Sequence, residues 1–226
     1  MKGLEKMVIE TIKRRLKEFV TLTWIPLISN QTKLFISFCL LVLAFLIRMA
    51  RPEWPSALFC SAAMGLCFVG DTCLNSMPIE KRPHALLYTG AGAFMVGHVC
   101  YAIAYIKNII ANSYAYFNPG TYIAIGFMIC FLIVAAVCIK GKKLSPVMIG
   151  VFGFYIFVIG FNFISICSYS YSAKSLAWIG ALWFLASDFI IGIETIFKLK
   201  KDILRKLVWL LYPAGQFIIL VCQNNC

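Results

Sequence analysis

The stretch Ile179 to Phe197 reads IGALWFLASDFIIGIETIF and is apolar along its length except at Ser187, Asp188, Glu194 and Thr195. As a helix it is about 28 Å long, close to the ~30 Å hydrocarbon thickness of a bilayer. A carboxylate in the middle of such a helix costs about 2.5 to 3.5 kcal/mol even on the lenient insertion scale, so Asp188 reads as an inward-facing group with a function.

The rest of the chain agrees with a membrane reading. Of 226 residues, 62% are hydrophobic and only 13% charged, and apolar runs of near twenty residues recur throughout, which excludes one or two soluble domains. The net charge of +12 would suit a nucleic-acid partner if the basic residues shared a folded soluble face. Here Lys and Arg punctuate apolar runs, so they are topology signals and no nucleic acid is expected. Cys39, Cys60, Cys67, Cys73, Cys100, Cys130, Cys138 and Cys167 are scattered through or beside these runs with no CxxC pair, and read as small apolar filler. Cys222 and Cys226, at the tail, are candidates for lipidation or a bridge.

From Met7 to Val20 the apolar residues Val8, Ile12, Leu16, Phe19 and Val20 recur at helical spacing among Lys6, Lys13, Arg14, Arg15 and Lys17. This predicts an interfacial amphipathic helix and not a cleavable signal peptide, because no small-residue cleavage site follows an apolar core. The segment Phe19 to Ser29 is apolar but short and broken by Pro26, a vestigial or re-entrant span. The expected architecture is all-α: a polytopic membrane helix bundle of seven spans, eight if Phe19 to Ser29 crosses. The spans fall at about Leu34–Ile47, Ser56–Asn75, Ala85–Ile106, Gly120–Ile139, Pro146–Ile164, Leu176–Phe197 and Leu207–Cys222. Residues 1–32 form the basic N-terminal segment, 33–222 one bundle domain and 223–226 a short tail. Ala93 with Gly97, and Ser61 with Gly65, are small pairs that would let helices approach closely.

Charge orients the bundle. One side of seven spans collects Lys2, Lys6, Lys13, Arg14, Arg15, Lys17, Lys33, Lys81, Arg82, Lys140, Lys142, Lys143, Lys198, Lys200, Lys201, Arg205 and Lys206, and the other only Arg48, Arg51, Lys107 and Lys174. By the positive-inside rule the N-terminus is cytoplasmic and the C-terminus lies across the membrane. Asn30, in the sequon Asn30-Gln31-Thr32, then lies on the cytoplasmic side.

Counting from flanking charges places four polar groups near one depth. Asp71 lies ten residues before Lys81, His98 nine before Lys107, Asp188 ten before Lys198, and Gln216 ten after Lys206. Neighbours three or four positions away share their helix faces: Asn75 after Asp71, Tyr101 after His98, Gly192 after Asp188, Tyr212 before Gln216. Asn162 is a further polar candidate. These groups either surround one cavity or hydrogen-bond between helices to hold the bundle together. Glu194, near the basic loop, reads as an interface salt-bridge partner, and His84, beside Pro83, as a loop or helix-start residue. Only His98 of the two histidines is deep, so the three-histidine set of seven-span zinc lipid hydrolases is missing and no metal or other cofactor is expected. The last span has no lysine for a retinal Schiff base, a cytoplasmic N-terminus is opposite to that of G-protein-coupled receptors, and no GxSxG elbow is present.

Four pieces in order, CFVGDTCL around Asp71, GAGAFMVGHVCYAIAY around His98, GALWFLASDFIIG around Asp188 and YPAGQFII around Gln216, resemble the YhhN-like lysoplasmalogenase family. These integral membrane proteins include the animal alkenylglycerophospholipid hydrolases, and the likeness covers roughly Lys33 to Cys222. The family usually has eight spans, the second opening on a Lys-Leu-Pro-like start; Lys33 and Leu34 fit that place but no proline follows.

The resemblance implies hydrolysis of the vinyl-ether bond of lysoplasmalogen to a fatty aldehyde and glycerophosphocholine or glycerophosphoethanolamine. Catalysis would fall to Asp188, Asp71 and His98, and substrate contacts to Tyr101, Asn75, Tyr212 and Gln216, without cofactor, in the endoplasmic reticulum membrane. The chemistry suits the residues, since protonating the β-carbon of a vinyl ether leaves an oxocarbenium ion that water captures. Desolvation and a nearby like charge favour the protonated form of one carboxyl while its partner stays ionised, as in glycosidases. Two other readings remain: a proton-coupled transporter or lipid-handling protein with Asp71 and Asp188 as a relay, and a structural membrane protein with no site.

Overall fold

The computed structural model describes residues 29–75, 84–140, 146–197 and 202–223. The expected amphipathic helix, all but the last residue of the broken segment Phe19 to Ser29, the marker residues Lys81 and Lys198, and Cys226 lie outside the described residues. Among the described residues there are seven helices and no strand: α1 (Asn30–Ala50), α2 (Ala57–Asn75), α3 (His84–Ala111), α4 (Pro119–Ile139), α5 (Pro146–Ala173), α6 (Ala177–Phe197) and α7 (Asp202–Val221). Each contains a stretch long and apolar enough to cross a membrane. His84 starts α3.

Several helices run past the apolar segments that announce them. Helix α1 begins four residues before Leu34, because the Ser29 hydroxyl accepts a hydrogen bond from the Thr32 amide at 3.1 Å and caps the helix there. Helix α3 continues beyond Ile106 to Ala111, and α5 beyond Ile164 to Ala173. Their polar ends are spent on partners: Asn108 donates to the Gln223 carbonyl, and the Ser168 hydroxyl donates to the Tyr116 carbonyl at 2.6 Å. Helix α4 opens on a capping box between Asn118 and Thr121 with Pro119 in its first turn.

Neighbouring helices of the α1–α2–α3 run are antiparallel. Ser61 near the start of α2 donates to the Ala44 carbonyl near the end of α1 at 3.0 Å, and Gly70 and Gly97 face Phe94 and Cys67 across the α2–α3 contact. The packing pairs α1 with α2, α2 with α3, α3 with α5, α5 with α6, α6 with α7, and α7 back to α1. Six helices thus close a ring, and α4 packs on α5 outside it.

This ring is polar within and apolar without. Phe35, Phe38 and Phe45 on α1 and Tyr122, Ile123, Phe127 and Ile133 on α4 are exposed, while Ser37, Asp71, His98, Asn162, Asp188 and Gln216 are buried. Such an arrangement is stable only when the outer solvent is lipid, and the chain is an integral multi-pass membrane protein.

Close helix approach uses glycines only in part as expected. At Gly97 an added Cβ would lie 3.2 Å from both the Ala63 carbonyl and the Cys67 sulfur, whereas at Gly65 its nearest neighbour would be 3.9 Å away. A close backbone contact lies between α6 and α7, where Gly180 and Gly215 face each other and an added Cβ would come within 2.7 to 2.8 Å of the opposing carbonyl. The far end of α7 is tied down by side chains, with Tyr105 donating to the Ile219 carbonyl at 2.8 Å and Ser175 to the Cys222 carbonyl at 3.0 Å. In a bilayer these end carbonyls have little water to turn to. Cys60 and Cys67 are fully buried core residues, and Cys222 is buried as well.

Candidate active site

Helix α6 carries Asp188 near its midpoint and turns it into the ring. The Asp188 Oδ2 lies 2.9 Å from His98 Nε2 on α3. The other imidazole nitrogen, Nδ1, lies 2.9 Å from Asn162 Nδ2 on α5. An amide nitrogen can only donate, so in this arrangement Nδ1 accepts and Nε2 carries the hydrogen given to Asp188. The Asn162 Oδ1 is buried without a hydrogen-bond partner. Turning the amide over would present Oδ1 to an Nδ1 hydrogen and leave Nε2 free to accept a proton from Asp188. Asn162 is therefore compatible with either location of the proton in the His98–Asp188 pair.

Aromatic rings hold the imidazole flat between helices. Phe184, one turn before Asp188, stacks on His98 with centroids 4.4 Å apart and planes at 27°. Tyr155 meets the imidazole edge-on at 6.2 Å, with its hydroxyl close to Asp188.

Asp71, near the end of α2, has a different shell. Ser37 of α1 and Tyr212 of α7 both donate to its Oδ2, at 2.6 Å and 2.7 Å. Two hydroxyl donors on one oxygen suit an anion. Phe184 joins the two carboxyl clusters, since its ring also meets Tyr212 edge-on at 5.6 Å. Asp71 and Asp188 are close enough to act electrostatically on each other.

Tyr101, one turn beyond His98, donates to Gln216 Oε1 on α7. His98, Tyr101, Tyr105 and Asn108 thus form a polar stripe on α3, each bonded to α6, to α7 or to Gln223 just beyond it. Gln216 Nε2 is buried without a hydrogen-bond partner.

Of the residues singled out from sequence, the ring brings together Asp188, His98, Asn162, Asp71, Tyr212, Tyr101 and Gln216. Asn75 is placed differently: its Nδ2 donates to the Asp71 backbone carbonyl at 2.9 Å, closing the end of α2. Ser37, Tyr155 and Phe184 were not singled out. Ser37 is one of many helix serines, and its only signal is a hydroxyl on an otherwise apolar turn. Phe184 could have been found from Asp188, since it lies four residues before it and shares its face. Among the described residues no three His, Cys, Asp or Glu side chains are grouped to hold a metal ion.

The sequence pattern of the YhhN family matches residues 29–222 of the chain. No curated protein and no solved structure matches it.

Proposed function

The chain belongs to the YhhN family, and from that membership and the paired carboxyls inside the helix ring we propose that it hydrolyses the vinyl-ether bond of lysoplasmalogens. The products are a fatty aldehyde and glycerophosphocholine or glycerophosphoethanolamine. The observation that carries the reading is a pair of buried carboxyls with different partners, one joined to an imidazole and the other gripped by two hydroxyls.

Asp188, as the acid, gives its proton to the vinyl β-carbon. The carbon–carbon π pair forms the new C–H bond, and the ether oxygen shares the resulting positive charge. Asp71, ionised and held by Ser37 and Tyr212, stabilises that oxocarbenium ion. Water adds to the cationic carbon and its proton returns to the Asp188 carboxylate, with His98 as the adjoining carrier. The hemiacetal then collapses to aldehyde and free glycerol hydroxyl. Tyr101 and Gln216 line the substrate's polar side, and the Phe184 ring excludes bulk water between the carboxyls. No metal enters these steps. We place the N-terminus in the cytoplasm on the charge bias, and the protein in the endoplasmic reticulum membrane on the family resemblance.

The test is incubation of the purified chain in detergent with lysoplasmalogen. Aldehyde release, absent from a saturated ether analogue, is the expected result. No aldehyde, with proton-driven uptake in proteoliposomes, would replace hydrolysis by transport.

A further inference from the structure

Three helices set a charged residue on the same side of the buried carboxyls. On α1, Lys33 lies four residues before Ser37, the donor to Asp71. On α7, Arg205 lies seven residues before Tyr212, the other donor, and on α6 Glu194 lies six after Asp188. At 1.5 Å per helical residue these offsets are about 6, 10 and 9 Å along the axes. Helices α1 and α7 start at that end and α6 finishes there, so all three offsets point one way.

The three side chains lie within electrostatic range of one another. Glu194 is close enough to Arg205 and Lys33 to feel both charges, and Lys33 is within reach of the Asp71 field. The Lys33 ammonium sits 5.0 Å above the Trp209 ring, one turn beyond Arg205. Despite two cationic neighbours, Glu194 Oε1 is buried with no hydrogen-bond partner. A carboxylate oxygen in that position lacks a donor that a ligand ammonium would supply.

We propose that Lys33, Arg205 and Glu194 form a subsite for the zwitterionic headgroup of a glycerophospholipid, with phosphate held by Lys33 and Arg205 and the ammonium by Glu194. The choice of a glycerophospholipid rests on the proposed hydrolase reading. In a 1-alkenyl lysolipid the ether oxygen and the phosphorus are separated by three glycerol carbons and one oxygen, roughly 6 Å when extended. That span is of the size of the axial offset from Ser37 to Lys33. The charges are complementary: two cations for one phosphate, one anion for one ammonium. The bland alternative is an ion cluster that only joins α1, α6 and α7.

Binding of saturated ether probes, which the proposed chemistry cannot cleave, separates the two. The full chain in detergent is titrated calorimetrically with 1-alkylglycerol, 1-alkylglycerol phosphate and 1-alkylglycerophosphocholine. The subsite predicts that the phosphocholine probe binds at least about tenfold more tightly than alkylglycerol. Lys33→Gln and Arg205→Gln should each lose about tenfold on the two phosphate-bearing probes, and Glu194→Gln should lose only on the choline-bearing one. Equal loss on all three probes would make the cluster structural and overturn the subsite, as would no loss on any. Displacement of the phosphocholine probe by inorganic phosphate at similar concentration would reassign the site to free phosphate. Because binding is read without turnover, failure here is distinct from failure of wild-type aldehyde release from the vinyl ether.

Discussion

The α6–α7 contact makes a quantitative prediction through Gly215→Ala. The added methyl would lie 2.8 Å from the Gly180 carbonyl oxygen and 2.9 Å from the Phe184 amide nitrogen, where ordinary contact begins at 3.4 Å. Both obstacles are backbone, so no side chain can rotate away and the helices must part by about 0.6 Å. Overpacking of this kind costs about 1 to 3 kcal/mol, a shift in thermal midpoint on the order of several degrees for a chain of this size. The displaced residue is Phe184, which stacks on His98 and meets Tyr212, so the strain reaches both carboxyl clusters. Misplacing reacting groups by fractions of an ångström to 1 Å costs up to about a hundredfold, and turnover should fall by about tenfold or more. Thermal unfolding in detergent, followed by intrinsic fluorescence alongside aldehyde release, measures both. Gly126→Ala on α4 is the control, since its Cβ meets nothing within 4 Å. If Gly215→Ala unfolds at the same temperature as Gly126→Ala, the helices do not pack as closely as described.

Tyr212→Phe and Ser37→Ala each remove one of two donors to Asp71 Oδ2. Each should destabilise the fold by about 1.5 to 3 kcal/mol and lower turnover, read by thermal unfolding and initial rates; wild-type values for both variants would mean that Asp71 is held by other groups. Asn30 should carry no glycan in a eukaryotic host if the charge bias sets the topology, and an endoglycosidase-sensitive band lost in Asn30→Gln would place the start of α1 across the membrane. Activity should survive EDTA; full loss with rescue by one metal would contradict the metal-free chemistry.

The fold was legible because apolar length is a one-dimensional property. Seven runs, each carrying enough hydropathy to cross, sit where the helices sit. Their ends were less legible, because a helix stops where its backbone partners run out and not where hydropathy falls. Asn108, Ser168 and the Ser29 cap extend or begin helices that an apolar count ends too soon. The site was readable where burial of a polar group is expensive: Asp71, His98, Asp188 and Gln216 were visible because membrane helices carry such groups at a cost.

Inexpensive groups gave no such signal. Ser37 returns its hydroxyl to an ordinary helix surface in most contexts, and only the position of Asp71 on α2 makes it a ligand to the carboxyl. Asn75 shared the face of Asp71 by spacing, but it sits at the last turn of α2, where the backbone carbonyl of Asp71 competes successfully for its amide. The Gly180–Gly215 contact depends on two helices meeting at one height, which no single helix reveals.

The account stands most directly on the acid role of Asp188. Asp188→Asn keeps the shape and a hydrogen-bonding group beside His98 Nε2 but has no acidic proton to give. The deciding measurement is lysoplasmalogen hydrolysis by Asp188→Asn at matched expression, with lysolipid binding measured on the same preparation. A loss of about 10² to 10⁴ in turnover with binding retained is the predicted result, and near-wild-type aldehyde release from a folded Asp188→Asn would contradict it.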